Sequence, residues 1–300
     1  MYKKTLLLAL FALLLLPQDS LWAQVPVGKA LAMSNNTPKT VRVRNVAEFV
    51  AALQSNTTIE MEYGLYNLSN YNSEAYYDSD YPYSGFHING LSNLTIRGVG
   101  DFPTEIILDA DAYATVLAFN NCKNVRLENV EVGHGASTGY CQGAVLRTYK
   151  TDGFFVSRSV LYGSGTYGLE GTNSQNITIE NSTIRSTTYG ALYLIECGYV
   201  NLNKVTFTDN GNLDIFSIHD CSNVIFNSCI IKDNTNSNPD TEYHQHSSNK
   251  LFQVDGNSVT LNNCLIKFNR VDYLANSRSA IRNNGSQIES NNTYKGMYEK

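Results

Sequence analysis

The sequence predicts an all-β chain folded as a single-stranded right-handed parallel β-helix, a solenoid of about eight coils with a short N-terminal capping helix. Three observations predict it. One short phrase recurs, a polar residue followed by apolar–x–apolar and a polar pair: Asn124-Val125-Arg126-Leu127-Glu128-Asn129, Asn176-Ile177-Thr178-Ile179-Glu180-Asn181, Asn223-Val224-Ile225-Phe226-Asn227-Ser228 and Ser258-Val259-Thr260-Leu261-Asn262-Asn263. Its first apolar position falls at Val125, Phe154, Ile177, Val200, Val224 and Val259, at spacings of 29, 23, 23, 24 and 35 residues. Each repeat also reads as three short strands with period-2 alternation. No single repeat has enough apolar side chains to close a core, so like must stack on like.

Taken in order, residues 1–23 read as a signal peptide, with Lys3 and Lys4 before an apolar run Leu6–Leu16 and a cleavage site at Leu21-Trp22-Ala23. The run is 11 residues long, too short to span a bilayer, so no membrane insertion is expected and the chain is expected to be secreted or periplasmic. The remaining chain carries 20 basic and 26 acidic residues, a balance that argues against nucleic acid as partner. Residues 24–40 read as a linker, and one domain is expected over 41–300. A helix is expected at 46–54: Val46, Phe49, Val50 and Leu53 share a face, and Asn45 with Glu48 forms a capping box. It would cover the exposed strand edges of the first coil.

The coils then give columns. The first strand is expected to bury Leu117, Leu146, Leu169, Leu192, Phe216 and Phe252, and two residues on, Phe119, Thr148, Gly171, Leu194, Ile218 and Val254. The second buries the Val125 column with Leu127, Val156, Ile179, Leu202, Phe226 and Leu261; the third buries Val132, Leu161, Ile184, Phe207, Ile231 and Ile266. Phe86, Ile88, Leu94 and Ile96 extend the pattern upstream, and Ile288 downstream. Asn129, Asn181 and Asn263 share a column between the second and third strands, where Asn tolerates the left-handed turn and its amide can bond the same amide one coil away; Arg158, Lys204 and Ser228 interrupt that ladder.

These inward columns and turn asparagines, with the lead-in Phe49-Val50-Ala51-Ala52-Leu53, Thr58-Ile59-Glu60-Met61, Gly64-Leu65-Tyr66 and Asn93-Leu94-Thr95-Ile96-Arg97-Gly98-Val99-Gly100, resemble the pectate-lyase-like right-handed β-helix superfamily over about residues 41–295. The resemblance implies a groove along the first strand of each coil as the place where enzymes of that superfamily work. Here the outward row of that strand reads His87, Ala118, Arg147, Glu170, Tyr193, Ser217 and Gln253. Beside it runs Asn89, Asn120, Tyr149, Thr172, Ile195, His219 and Asp255. His87, Arg147, Tyr149, Glu170, Tyr193 and His219 are therefore the candidate substrate-binding residues, and a charged, aromatic strip on a rigid sheet suits a polysaccharide or oligosaccharide.

Three readings of that strip stand side by side. A lyase needs a base and a charge sink, for which Arg147 or His87 could serve, but the Asp-rich Ca²⁺ strand of pectate lyases is absent. A glycoside hydrolase needs two facing carboxylates; Gly133-His134-Gly135 echoes a polygalacturonase motif without its paired aspartates, and is read as a turn. Third, Arg147–Glu170 is a surface ion pair of small consequence. The function expected is an exported protein that binds or processes a polysaccharide along the first-strand face; the alternative is a non-catalytic structural or adhesin-like surface protein.

No metal or cofactor is called for. Asp78-x-Asp80 and His244-Gln245-His246 are each short of a coordination set and read as loop residues, the first in a Tyr-rich loop at 71–85, the second in an insertion at 235–249. Cys122, Cys197 and Cys221 share one column, and Cys229 and Cys264 another. Parallel Cβ vectors suit a disulfide poorly, so stacked free thiols are expected. Cys141 falls in a loop. A monomer is expected.

Overall fold

In the computed structural model the described residues are 37–71, 85–109, 114–135, 143–163, 165–235 and 249–299. They wind into a parallel β-solenoid with three strands per coil. The third strands form one nine-stranded sheet from Leu65–Asn67 to Gln287–Ile288. First and second strands are joined into an 18-stranded sheet, because Phe216–Asn227 continues round the corner between them.

The register reproduces the expected columns. Leu117, Leu146, Leu169, Leu192, Phe216 and Phe252 are successive partners, each one coil above the last. So are Val125, Phe154, Ile177, Val200 and Val224 on the second strand. Val132, Leu161, Ile184, Phe207, Ile231 and Ile266 follow on the third, and Ile288 continues that column. All these side chains join one continuous core, in which Phe207, Phe216, Phe226 and Phe252 interlock with ring centroids 4.8 to 5.9 Å apart. Offset and edge-on aromatic contacts of this kind add about 0.5–1.5 kcal/mol beyond area burial.

Sharp corners make the stacking work. The turn between second and third strands holds Asn129, Arg158, Asn181, Lys204, Ser228 and Asn263, all at φ between 47° and 54°. The left-handed conformation is thus a property of the corner, imposed even on Arg158 and Lys204. The amide ladder expected there is elsewhere. Asn129 donates to the Gly98 carbonyl instead, at 3.1 Å, because no asparagine lies one coil away in its column. Unbroken ladders form where consecutive coils all carry asparagine: Asn203, Asn227, Asn262 and Asn284 at 2.7–2.9 Å, and the buried Asn210, Asn234 and Asn269 ending on the partly exposed Asn292, at 2.9–3.0 Å.

The helix spans Val46–Ala52. Asn45 Oδ1 accepts from the Glu48 N–H at 2.9 Å, while Glu48 reaches back to the Arg44 N–H at 2.8 Å. Phe49 is fully buried, packed edge-on to Tyr66 and beside Phe86. The first strand begins at Lys39, two residues before the expected start of the domain, and pairs in parallel with Thr57–Met61.

Cys122, Cys197, Cys221, Cys229 and Cys264 are buried free thiols, as their columns predict. Each thiol of the stacked pairs donates to a backbone carbonyl: Cys197 to Ile195, Cys221 to His219, Cys229 to Leu202 and Cys264 to Phe226. The stacked neighbour raises Cys197 and Cys229 and lowers Cys221 and Cys264, the last to about 7. Cys141, Asp78, Asp80, His244 and His246 lie outside the described residues. Among the described residues no three His, Cys, Asp or Glu side chains converge as a metal site, and no helix is long and apolar enough to cross a membrane.

Candidate functional site

The first-strand sheet brings the expected residues into one strip. His87 and Arg147 flank Ala118, Arg147 partners Glu170, Glu170 partners Tyr193, and Tyr193 partners Ser217, which partners Gln253. The second row, Asn89 to Asp255, runs alongside in the same register. Alternation along each strand sends both rows to the same outer face.

Its lower half is not the open surface that alternation alone suggests. His87, Arg147 and Tyr149 are buried, with the Arg147 side chain only 2% exposed. Arg147 Nε and Nη2 donate to Glu170 Oε2 at 2.9 and 2.5 Å, and Thr166 Oγ1 donates to Glu170 Oε1 at 2.6 Å. The pair is therefore no surface ion pair. A buried pair contributes little net stability, but loss of one partner strands the other charge and costs roughly 3–5 kcal/mol. Asn120 Nδ2 bridges Asn89 Oδ1 at 2.8 Å and His87 Nδ1 at 3.1 Å, so the His87 imidazole accepts on that side. Neither His87 nor Arg147 faces solvent as a lyase base would.

The upper half is aromatic, with Tyr193 and His219 partly exposed beside the buried Tyr167. Tyr167 stacks on Tyr193 at 5.2 Å, and Tyr193 meets the His219 ring edge-on at 5.8 Å. Gly190 seats the stack, since a Cβ there would come within 2.9 Å of the Tyr167 ring and 2.4 Å of the Asp214 carbonyl. Burial, ahead of the nearby Asp214 and Glu170 charges, pushes the Tyr167 hydroxyl up, so it stays a donor. Burial likewise raises the Asp214 carboxyl, although it accepts from the Lys250 N–H at 2.7 Å. His219 Nδ1 lies 2.7 Å from Asp255 Oδ2, and its Nε2 lies 2.9 Å from Ser217 Oγ.

Gly133-His134-Gly135 proves to be the end of the strand Val130–His134 rather than a turn. A Cβ at Gly133 would fall 2.5 Å from the Tyr162 ring, which packs across it and donates to Glu105. His134 is buried with Nε2 2.9 Å from the Ala114 carbonyl oxygen. Burial lowers its pKa and keeps it neutral. The motif is packing.

Residues 114–295 match the family described as the right-handed beta helix region. The chain belongs to the right-handed β-helix family. No curated protein matches it. Among solved structures this β-helix protein is similar to a pectate lyase of Paenibacillus sp. 0602, at 12% identity and a TM-score of 0.51, over 91% of this chain and 81% of that one. An alginate lyase of Paenibacillus sp. FPU-7 matches at 10% identity and a TM-score of 0.36, over 87% and 98%. A family 28 exopolygalacturonase of Yersinia enterocolitica matches at 11% and 0.35, over 86% and 72%. The likeness to the pectate lyase of Paenibacillus sp. 0602 is one of fold alone, and leaves the chemistry of the β-helix to its own residues.

Of the six expected site residues, the β-helix brings Arg147 to Glu170 and Tyr193 to His219, and buries His87 and Tyr149 with Arg147 in the lower half. Thr166, Tyr167, Ser217 and Asp255 complete the contacts. Thr166 and Tyr167 carry no signal in the sequence, because they precede the alternating run; Ser217 and Asp255 stood in the outward rows, but their joint contact with His219 depends on the coil register across a 35-residue repeat.

Proposed function

We propose that this β-helix protein is exported and binds or processes a polysaccharide along its first-strand face. The observation that carries the reading is the row Tyr167–Tyr193–His219, in ring contact along the solenoid axis, with the Glu170 carboxylate one coil from Tyr193. Sugar rings stack on aromatic faces while charged and amide side chains hold their hydroxyls, and a strip that repeats every coil suits a polymer. The pectate lyase of Paenibacillus sp. 0602 supports the substrate class only through a shared fold.

A glycan array covering uronate and neutral polymers tests it, with Tyr193→Ala in parallel. Binding of at least one polymer is expected, weakened roughly 2- to 12-fold by the loss of one stacking ring. Absence of binding, or binding indifferent to Tyr193→Ala, would count against it. Arg147 is a poor probe, since its removal leaves the Glu170 carboxylate uncompensated.

A further inference from the structure

The geometry points to Ser217, His219 and Asp255 as a nucleophilic triad that hydrolyses acyl esters carried by a glycan. That the acyl group sits on a glycan rests on the proposed function; the triad itself does not.

The contacts have the required polarity. Asp255 is a carboxylate and only accepts, so at 2.7 Å the proton between it and His219 belongs to Nδ1. A neutral imidazole protonated at Nδ1 is bare at Nε2. At 2.9 Å from Ser217 Oγ, that nitrogen can only accept the hydroxyl proton. A serine hydroxyl donating to an imidazole whose far nitrogen donates to a carboxylate is the arrangement that makes serine a nucleophile, and it is recognised by geometry rather than by chain order.

The solenoid explains how the three meet. Ser217 and His219 are alternate residues of one strand, hence on one face, and His219 partners Asp255 in the next coil. Asp255 is itself held, with Oδ1 accepting from Gln253 Nε2 at 3.0 Å and from Asn276 Nδ2 at 3.4 Å. The Tyr193 ring meets the imidazole edge-on. Tyr193 and Gln253 flank Ser217 in register, a hydroxyl and an amide that can donate to the oxyanion of a tetrahedral intermediate. Ser217 keeps 5% exposure at the base of the site, while His219 is partly exposed and Asp255 exposed.

The chemistry closes with water as the only co-reactant. Ser217 Oγ bonds to the ester carbonyl carbon and its proton passes to His219 Nε2. Collapse breaks the bond to the sugar oxygen, which leaves with that proton as a hydroxyl. Water then attacks the acyl-serine, gives its proton to Nε2 and releases the carboxylic acid, returning the proton to Ser217. Glycoside cleavage would instead need two carboxylates facing each other across the bond.

A fluorophosphonate probe and O-acetylated polysaccharides, with the glycan array run on the same samples, form the test. Expected are a covalent adduct mapped to Ser217 by peptide mass spectrometry and release of acetate. Ser217→Ala abolishes the adduct, and acetate release falls about 10³-fold or more; Asp255→Asn, at an exposed position, lowers release by about 10²- to 10⁴-fold. Wild-type protein that gives neither adduct nor acetate overturns the triad, and array binding by that same sample would leave the polysaccharide reading standing. Acetate release untouched by Ser217→Ala overturns it as well. An adduct at Ser217 without acetate release overturns the assigned substrate, and loss of array binding then places the failure in the polysaccharide reading.

Discussion

His134 shows how far a residue's role depends on what packs around it. Between two glycines it has the look of a mobile, reactive imidazole, yet those glycines exist to let Tyr162 and Asp109 approach. The buried ring stays neutral, its pKa held below the ordinary 6.5 by burial. Its linkage to stability follows in sign. Above about pH 6.5 the ring is neutral in both folded and unfolded chains. As pH falls through that value, the unfolded chain takes up a proton that the folded chain refuses, so stability is lost on acidification. His134→Gln removes this term. The stability gap between wild type and His134→Gln should therefore narrow from pH 7.5 to pH 5.5, by at most about 1.4 kcal/mol per pH unit. Urea titrations at both pH values would show it, and a gap independent of pH would refute the assignment. Arg147 teaches the same lesson from the other side: alternation put it on the outer face, and only the structure shows that face covered at that point.

At the scale of the strand, period-2 alternation was enough to place almost every inward side chain, because a one-residue slip would turn a whole strand inside out. The corners were half legible. Asparagine marked the left-handed residue correctly, but a ladder needs asparagine in consecutive coils, and the repeats differ in length. The ladder that matters most is Asn210–Asn234–Asn269–Asn292, just past the third strand, with its first three members fully buried. Asn234 is fully buried; its Oδ1 accepts from the Asn210 backbone and side chain, and its Nδ2 donates to Phe207 and Asn269. Each buried group stranded by its loss costs about 1–3 kcal/mol. Asn234→Ala should destabilise the fold by roughly 2–5 kcal/mol, and Asn227→Ala, in the partly exposed ladder, by about 1 kcal/mol or less. Chemical denaturation midpoints give the comparison; equal losses at the two sites would mean that burial is not what gives the inner ladder its weight.

Over the described residues each coil pairs its strands only with the coils above and below, so stability is close to a sum of nearest-neighbour terms. The sequence disclosed this architecture because the repeat itself is the fold. The upper site was less visible, since Ser217, His219 and Asp255 meet through coil register and Tyr167 through the close approach at Gly190. The same near-linear logic assigns the helix Val46–Ala52 its task. Phe49, fully buried against Tyr66 and Phe86, closes the core beneath the first coils and touches nothing near Ser217. Phe49→Ala removes a large core side chain, a change that costs roughly 3–5 kcal/mol where the cavity cannot collapse. In a solenoid that loss should stay local. Hydrogen exchange is expected to quicken in Thr57–Met61 and Ser92–Gly98, while Gly190–Ile195 and Phe216–Asn227 keep wild-type protection. If protection fell uniformly along the rod, the coils would be one cooperative unit, and the helix would anchor the whole β-helix rather than its first turns.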